Sequence, residues 1–492
     1  MARTDRRSKR RVPWAPVMLS RDEVGDVDLD DARTGRRDRQ SSDQAGATRG
    51  GLARAARSLW TPGLRIPRHR ATTAHLCSAY PFQAAEGLGG RGVMLGTDHL
   101  AGGAAFCFDP FEAYTQKLVD SPNCLVLGVP RAGKSTSWKT FLYRCIGVFR
   151  SPGGMPRWTA ICDPKGEYHG LAAALGLDVI SLYPGGPTRL NPLEPGPAAA
   201  WATADELAGR RATMVGALIG AVMGRDLVGL EDSVLSWALA AIGALPRRDV
   251  PTLADVAQLV AHPTAEMVGR DPLRRTPEQL AAGAEHVLLA FDKLLSGRLR
   301  GMFDGPSTVP IDWSGRGMVI DLSSVHHDPA ALTLVMVAAT GWLQAAMAVP
   351  DGTETPRRIQ VIDEAWALLA QERVALYFQA TTKLCSQYGV VNVAIAHRIS
   401  DLSSQAADGS TTAKVAMGLL HDTDCRVLFR QSTTEVAQAA ELLQLTEAEA
   451  ELLPKLSKGR ALWKVGQHTA VVQHVVAPGE WAFCNTDQRL TV

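Results

Sequence analysis

NCLVLGVPRAGKSTSWKTFLYR, residues 123–144, is a short apolar segment followed by a glycine loop and then by residues with helical spacing. It carries the phosphate-loop pattern G-x-x-x-x-G-K-[ST] at Gly128, Gly133, Lys134 and Ser135. In such a loop, backbone N–H groups surround phosphates, the lysine reaches the β/γ oxygens and the hydroxyl holds Mg²⁺. The stretch therefore predicts a nucleotide site that uses ATP and Mg²⁺. The residues predicted to bind the nucleotide are Gly128, Val129, Pro130, Arg131, Ala132, Gly133, Lys134, Ser135 and Thr136.

Apolar segments that alternate with helical patterns predict the fold class. Further strands are expected at 157–163, 179–183, 318–322, 358–364, 390–396 and 426–429. Strands separated by helices of 10–15 residues are typical of a parallel sheet with helices on its faces. Two hairpins are expected as well, around 100–103 and around 466–467. The prediction is an α/β fold of the RecA-like P-loop type with a mostly parallel sheet.

Composition divides the chain into five segments. Residues 1–70 hold 17 Lys and Arg against 9 Asp and Glu, whereas the remainder holds 35 against 41 and is net acidic. Residues 1–70 also have few apolar positions, so a disordered basic tail is predicted there. No run reaches the ~18 uninterrupted apolar residues of a membrane span, and the eight cysteines form no C-x-x-C pair, which favours a reduced cytoplasmic protein. The expected segments are a tail (1–70), a short β segment (71–120), the first part of the ATPase core (121–198), an all-helical insertion (199–300) and the second part of the core (301–492).

A phosphate loop needs a carboxylate on a neighbouring strand for Mg²⁺ and a group that positions water. Three predicted strands end in two apolar residues and an aspartate, at Asp163, Asp321 and Asp363, and only the last is followed by glutamate. Asp363, together with Ser135, is therefore the expected magnesium ligand, and Glu364 the general base. Asp163 and Asp321 are expected to be structural, capping or orienting nearby loops.

Two further roles have candidates in the sequence. His397 ends the segment VVNVAIAH, which places it at a strand tip where a residue sensing the γ-phosphate is expected. An arginine that neutralises transition-state charge is often supplied by a neighbouring subunit. Arg430 is the first candidate for that role, Arg426 the second, and Arg298 and Arg300 follow. The predicted catalytic set is therefore Lys134, Glu364, His397 and Arg430.

With these motifs the chain resembles the HerA/FtsK superfamily, and within it the TraC-like conjugation ATPases of type IV secretion systems. The matching segments are GVPRAGKS (128–135), DPKGEY (163–168), LNPL (190–193), GRLRGMFDG (297–305), VIDEAWALL (361–369), HRISDL (397–402) and HDTDCRVLFRQS (421–432). DPKGEY together with DEAW is more specific than the phosphate loop, which many families share. Members of this family usually carry glutamine at the position of His397.

The resemblance implies a RecA-like motor domain that carries an all-helical insertion. It also implies that the protein forms hexamers whose nucleotide sites lie at subunit interfaces. It implies ATP hydrolysis that drives substrate transfer or pilus assembly, with membrane-associated secretion or conjugation channel proteins as partners and DNA or a relaxase–DNA complex as a substrate. The expected location is the cytoplasm, at the inner face of the cell membrane.

Two other functions stay open at this point. One is a DNA translocase or coupling protein of the same superfamily, although the net acidic charge after residue 70 gives no general support for DNA binding. The other is an assembly scaffold that binds nucleotide with little turnover. An ABC-type ATPase is excluded by motif order, and a small-molecule kinase would not need Glu364 beside Asp363.

Overall fold

The computed structural model describes residues 87–485 of the chain, except for some short internal segments. These exceptions are 152–153, 197–199, 201, 245–249, 310–311, 313, 348–354, 370–371, 398–417 and 419–421. The chain divides into two units, residues 1–81 and 82–492, and all described residues belong to the second. The predicted basic tail lies outside the described residues, and the domain boundaries drawn from the sequence stay predictions.

One sheet of eleven strands organises the described chain. The strands are β1 (Val93–Asp98), β2 (Ala104–Phe108), β3 (Cys124–Leu127), β4 (Trp158–Asp163), β5 (Asp178–Ser181), β6 (Gly317–Asp321), β7 (Arg358–Ile362), β8 (Val390–Ala396), β9 (Cys425–Phe429), β10 (Arg460–Val465) and β11 (His468–His474). Their order across the sheet is β2-β1-β11-β10-β9-β3-β8-β7-β4-β6-β5. Every strand expected from the sequence is present, and the α/β fold class is confirmed.

The sheet has a parallel part and an antiparallel part. From β9 to β5 all neighbouring strands run parallel, so their carboxyl ends lie at one edge. From β9 outward the pairs with β10, β11, β1 and β2 are antiparallel. The two predicted hairpins thus join each other through β1 and β11, although more than 350 residues separate Gly96 from its partner His474. The result is a parallel core, from β9 to β5, with an antiparallel extension that begins at β9.

Helices cover both faces of the sheet and form a separate group between β5 and β6. They are α1 (Pro110–Thr115), α2 (Lys134–Val148), α3 (His169–Leu175), α4 (Ala204–Met223), α5 (Leu230–Ala244), α6 (Leu253–Ala261), α7 (Ala265–Arg270), α8 (Pro277–Gly283), α9 (Glu285–Leu295), α10 (Pro329–Met347), α11 (Trp366–Leu369), α12 (Glu372–Gln387), α13 (Val436–Leu443), α14 (Glu447–Leu452) and α15 (Trp481–Cys484). Two buried clusters fill the space between the sheet and its two helical layers.

The helical group from α4 to α9 has helix starts that its sequence specifies. Thr203, Thr252 and Thr276 each begin a helix as the N-cap of a capping box, with Glu206, Asp255 and Gln279 as the reciprocal partners. Each box satisfies two backbone N–H groups that a helix start otherwise leaves unpaired. No strand lies among the described residues between β5 and β6, as the sequence led us to expect.

Helix α10 is long and apolar enough to cross a membrane by length and composition. Its mean hydropathy over 18 residues is 1.6, although 78% of that window is buried inside the protein. The helix packs against the sheet and against α4, and Val335 to Ala339 are fully buried. A mostly buried helix of this kind is typical of a protein core, so it is weak evidence for a membrane span.

Candidate active site

The phosphate loop connects β3 to α2 in a conformation that depends on glycine. Gly133, directly before α2, has φ +113°, a value that residues with a Cβ rarely adopt. Gly128 lies so close to β9 that a Cβ there would be 2.5 Å from the Cβ of Phe429. Arg131 has φ +61° and is exposed. The loop is thus held tightly between β9 and the start of the C-terminal hairpin, where Gly459 N–H donates to the Ala132 carbonyl at 2.9 Å.

Lys134 begins α2 and turns its side chain back into the loop. Its Nζ donates to the carbonyl of Gly128, lies 3.2 Å from the carbonyl of Val129, and is 3.0 Å from Nδ1 of His397. The side chain is almost completely buried. The next two residues, Ser135 and Thr136, lie in the first turn of the same helix and are partly exposed.

Strand order explains why His397 reaches this loop. β8 lies between β3 and β7, and Ala396 pairs with Leu127, so the residues that follow both strands are neighbours. On the other side, the Ala365 N–H donates to the carbonyl of Ile395 at 3.0 Å, which brings Glu364 beside the tip of β8. The structure therefore brings Lys134, His397 and Glu364 together, although 263 and 33 residues separate His397 from the other two.

Glu364 is the centre of the resulting network. Its Oε1 lies 2.7 Å from Nε2 of His397 and also contacts Nζ of Lys165, while its Oε2 accepts from the indole Nε1 of Trp366 at 2.5 Å. Because an ammonium can only donate, Nδ1 of His397 accepts from Lys134, and Nε2 is the nitrogen that donates to Glu364. Glu364 also has φ +53°, and such strained residues cluster at functional sites.

Burial and nearby charges shift the pKa values of the two adjacent carboxyls, Asp363 and Glu364, in opposite directions. Burial, helped by the charge of Glu364, raises the pKa of Asp363 to about 7. Burial also acts to raise the pKa of Glu364, but the hydrogen bond from His397 and the charge and hydrogen bond of Lys165 outweigh it and lower that pKa to about 2. For Lys134, burial lowers the pKa to about 8, against the opposing effect of both carboxylates. At neutral pH the centre holds an ionised Glu364 and a carboxyl at Asp363 that a nearby cation would ionise.

The donor set near the loop fits a magnesium ion held partly by phosphates. Asp363, 5% exposed, and Ser135 offer a carboxylate and a hydroxyl, both oxygen ligands of the kind that Mg²⁺ prefers. No group of three or more His, Cys, Asp or Glu side chains able to hold a metal ion occurs among the described residues. Mg²⁺ usually keeps several waters and binds through one or two protein ligands plus phosphates, so a site with two protein ligands is of the kind this ion uses.

The two competing aspartates lie at other strand tips and bind backbone or a neighbouring side chain. Asp163, fully buried at the end of β4, accepts from the N–H groups of Lys165 at 3.2 Å and Tyr168 at 2.8 Å. Asp321, at the end of β6, accepts from Ser323 N–H at 2.9 Å and lies 3.1 Å from His169. These contacts fit the loop-orienting roles expected for both residues.

The candidate arginines lie in different places. Arg430 follows β9 and is exposed, and its carbonyl accepts from the Val129 N–H at 3.0 Å, so it lies beside the phosphate loop of its own chain. Arg426 lies near the other end of β9 and donates to the carbonyls of Thr423 and Leu443, both at 3.0 Å, so it does not face the loop. Arg300 lies beside the segment that follows β5, where its carbonyl accepts from the Gly185 N–H at 2.8 Å, and Arg298 pairs with Asp328, directly before α10, at 2.5 Å.

Two residues of the network had no assigned role in the sequence interpretation. Lys165 stands in DPKGEY and Trp366 in DEAW, both singled out as motifs without a function for these side chains. The signal for Lys165 was a lysine two residues after the aspartate of an apolar-apolar-Asp strand end. Its partner was not visible in the sequence, because the pairing of β4 with β7 decides which loops meet.

Comparison by sequence finds no match, either with models of protein families or among curated proteins. Comparison with solved structures does find similar folds. VirB4 of Thermoanaerobacter pseudethanolicus superposes with a TM-score of 0.62 and 20% identity, over 80% of this chain and 99% of that chain. The plasmid coupling protein TrwB in complex with ADP and Mg²⁺ gives 0.52 and 15% over 80% and 97%. TrwB with the non-hydrolysable ATP analogue ADPNP gives 0.53 and 15% over 79% and 90%. The chain therefore has the fold of VirB4 and TrwB, in keeping with the RecA-like P-loop class and with the resemblance seen in its sequence.

Proposed function

We propose that the chain is an ATP-hydrolysing motor of a conjugative or type IV secretion apparatus, driving substrate transfer or assembly of the transfer channel. The observation that supports this most is the network at one sheet edge, where Lys134, His397 and Glu364 meet within hydrogen-bonding distance. A nucleotide-binding loop beside a buried, ionised glutamate is the arrangement that phosphoanhydride hydrolysis requires. The likeness to VirB4 and TrwB supports the same proposal.

Each residue has a part in that reaction. Lys134 and the loop N–H groups bind and orient the β- and γ-phosphates, and Ser135 and Asp363 would hold Mg²⁺, which neutralises developing charge on the phosphates. Glu364 accepts a proton from the attacking water, and His397 links the lysine that binds the phosphate to this base. Arg430 stays the proposed arginine of the transition state, and its exposed side chain is free to turn toward a nucleotide at a subunit interface.

The proposed assembly is a hexamer that works with channel proteins at the inner face of the cell membrane, with a DNA or relaxase–DNA substrate. The fold likeness to a conjugative coupling protein and to VirB4 supports these partners. The motor would act from the cytoplasm.

The test is the effect of Glu364→Gln on ATP turnover and on nucleotide affinity. We expect Mg-dependent hydrolysis in the wild type and a loss of about 10²–10⁴-fold in kcat in the variant, because the base is gone. Affinity for Mg·ADP should stay within about threefold, since Glu364 is not a phosphate ligand. Asp321→Asn, a matched change at the tip of β6, should keep wild-type turnover. Equal rates in wild type and Glu364→Gln would remove Glu364 from the role of base.

A DNA translocase or coupling protein is the second candidate, because TrwB is a coupling protein with this fold. A DNA motor should hydrolyse ATP several-fold faster when single- or double-stranded DNA is added at low salt, where phosphate contacts are strongest. A nucleotide-dependent scaffold, in contrast, would form nucleotide-dependent hexamers with negligible turnover. Robust turnover without DNA stimulation supports the secretion motor over both.

A further inference from the structure

The loop after β4 brings a second lysine to the base. Nζ of Lys165 forms an ion pair with Oε1 of Glu364 and lies 3.0 Å from Nε2 of His397. The Lys165 side chain is 28% exposed and that of Glu364 only 3%. A buried carboxylate that shares one oxygen between an ammonium and an imidazole has that oxygen fixed in place.

The backbone of this loop is held by a buried carboxylate. Asp163 accepts from the N–H groups of Lys165 and Tyr168, which closes the turn that carries the lysine. Gly166 in the same turn has φ +68°, and a Cβ there would lie 3.4 Å from the Cβ of Ser323. The starting point of the Lys165 side chain is therefore set by the turn, not by the contact with Glu364.

Helix α2, which follows the phosphate loop, also contacts the turn that carries Lys165. Lys139, on α2 and fully buried, donates to the carbonyl of Glu167 at 2.7 Å, and its Nζ lies 4.9 Å from the centre of the Tyr168 ring. The phosphate loop and the Lys165 turn are thus connected through one rigid helix. The position of the Lys165 turn relative to the phosphate loop is therefore fixed by α2 and does not depend on the contacts of Glu364.

The two oxygens of Glu364 are held by different donors. Trp366, two residues along the chain, binds Oε2, so it can fix only the near side of the carboxylate. Oε1 depends on His397 and Lys165, which come from two other strand ends. Without Lys165, Oε1 would keep one donor, and the carboxylate could turn about its last bond.

We propose that Lys165 is a positioning residue, which holds the Glu364 carboxylate in the orientation that aims it at the attacking water. The proposal rests on the proposed function, because it assigns Glu364 as the base. Lys165 acts through Glu364 and does not bind the phosphates.

The test compares Lys165→Met, Lys165→Arg and a control, Lys293→Met, an exposed lysine on α9. For Lys165→Met we expect kcat to fall about 10- to 100-fold, as for a group misplaced by about 1 Å. The KM for ATP and the affinity for a fluorescent Mg·ADP analogue should stay within threefold. Lys165→Arg should recover at least a third of the lost rate, because a guanidinium can still donate to Oε1. Lys293→Met should match the wild type.

Three results would overturn the proposal. One is a kcat of Lys165→Met within twofold of the wild type, and another is an arginine variant no better than the methionine one. The third is a loss of Mg·ADP affinity as large as the loss of kcat, which would place Lys165 on the phosphates.

A stability measurement keeps the proposal separate from the ATPase assignment. Lys165→Met, Glu364→Gln and the double variant form a cycle whose readout is the thermal unfolding midpoint, without nucleotide. Because removing one partner leaves the other uncompensated, the double variant should lose at least 2 °C less than the two single shifts together. Additive shifts would overturn the pairing even if the wild type hydrolyses ATP. If the wild type shows no turnover, the proposed function fails while a non-additive cycle still supports the contact.

Discussion

Gly133→Ala is the change whose effect the structure predicts in most detail. Gly133 has φ +113°, and a non-glycine residue held in such a region costs about 1–3 kcal/mol. The new Cβ would lie 3.1 Å from both Cα and N of Gly459, closer than most Cβ contacts. Gly459 cannot withdraw freely, because its N–H donates to the Ala132 carbonyl, and losing that hydrogen bond costs about 1 kcal/mol.

The total expected loss is therefore about 2–4 kcal/mol, either in the free energy of unfolding or in nucleotide binding. If the loop keeps its shape, the folded state bears the strain and the denaturant midpoint falls. If the loop relaxes, its N–H groups leave the phosphate positions, and the affinity for Mg·ADP falls by about 30-fold or more, since each 1.4 kcal/mol is tenfold. Both quantities are measured on the same preparation, by urea unfolding and by titration of a fluorescent nucleotide.

Gly147→Ala is the matched control, in the helix that Gly133 precedes. Gly147 is exposed near the end of α2, and a Cβ there would meet nothing within 4 Å. Replacing it should stabilise the helix slightly, by up to about 1 kcal/mol, and leave nucleotide affinity unchanged. If Gly133→Ala were as stable and bound nucleotide as well as Gly147→Ala, the conformational argument for the loop would be wrong.

Two further changes test the site and the helical group. A glutamine side chain at His397 places its amide near Nε2 and an asparagine near Nδ1, so His397→Gln should keep the bond to Glu364 and His397→Asn the bond to Lys134. Steady-state ATPase rates should be at least threefold higher for the glutamine variant, and the reverse order would mean that the lysine contact matters more. In α5, Glu231 accepts a bidentate pair from Arg225 at 2.7 Å, which lowers the pKa of Glu231 to about 2. Because that folded-state pKa is below the unfolded value, the stabilisation is present above about pH 4.5 and is lost as the pH falls toward 2. Glu231→Gln should therefore lower the urea midpoint at pH 7 and make little difference at pH 2, and an equal effect at both would contradict this pairing.

Local signals in the sequence predicted the strands of the parallel core well. The apolar-apolar-Asp endings located β4, β6 and β7, and the phosphate loop located β3, because a buried strand and its polar tip leave a short, strong pattern. The turn at Gly466 likewise located the β10–β11 hairpin. The predicted strand over 358–364 was too long: β7 ends at Ile362, and Glu364 lies beyond it with φ +53°. No propensity predicts that value, since the surrounding structure imposes it.

Contacts between distant segments could not be predicted in the same way. The pairing of β1 with β11 joins two hairpins into one sheet, and neither hairpin carries a mark of the other. Lys165 reaches Glu364 because β4 pairs with β7, a choice made by packing. Arg426 was a candidate by its place on a strand, but the direction of its side chain, toward the carbonyl of Leu443, depends on α13.

The contacts of Lys134 indicate how nucleotide binding would affect the base, Glu364. An ammonium has three N–H donors, and Lys134 directs them to the carbonyls of Gly128 and Val129 and to Nδ1 of His397. A phosphate bound in the loop must therefore replace at least one of these internal bonds. If it replaces the bond to His397, the imidazole loses the acceptor contact that fixes its ring, while its Nε2 still lies on Glu364. We therefore expect phosphate binding to affect Glu364 through the imidazole of His397. Lys165 would keep the Glu364 carboxylate in place while that imidazole changes its contacts.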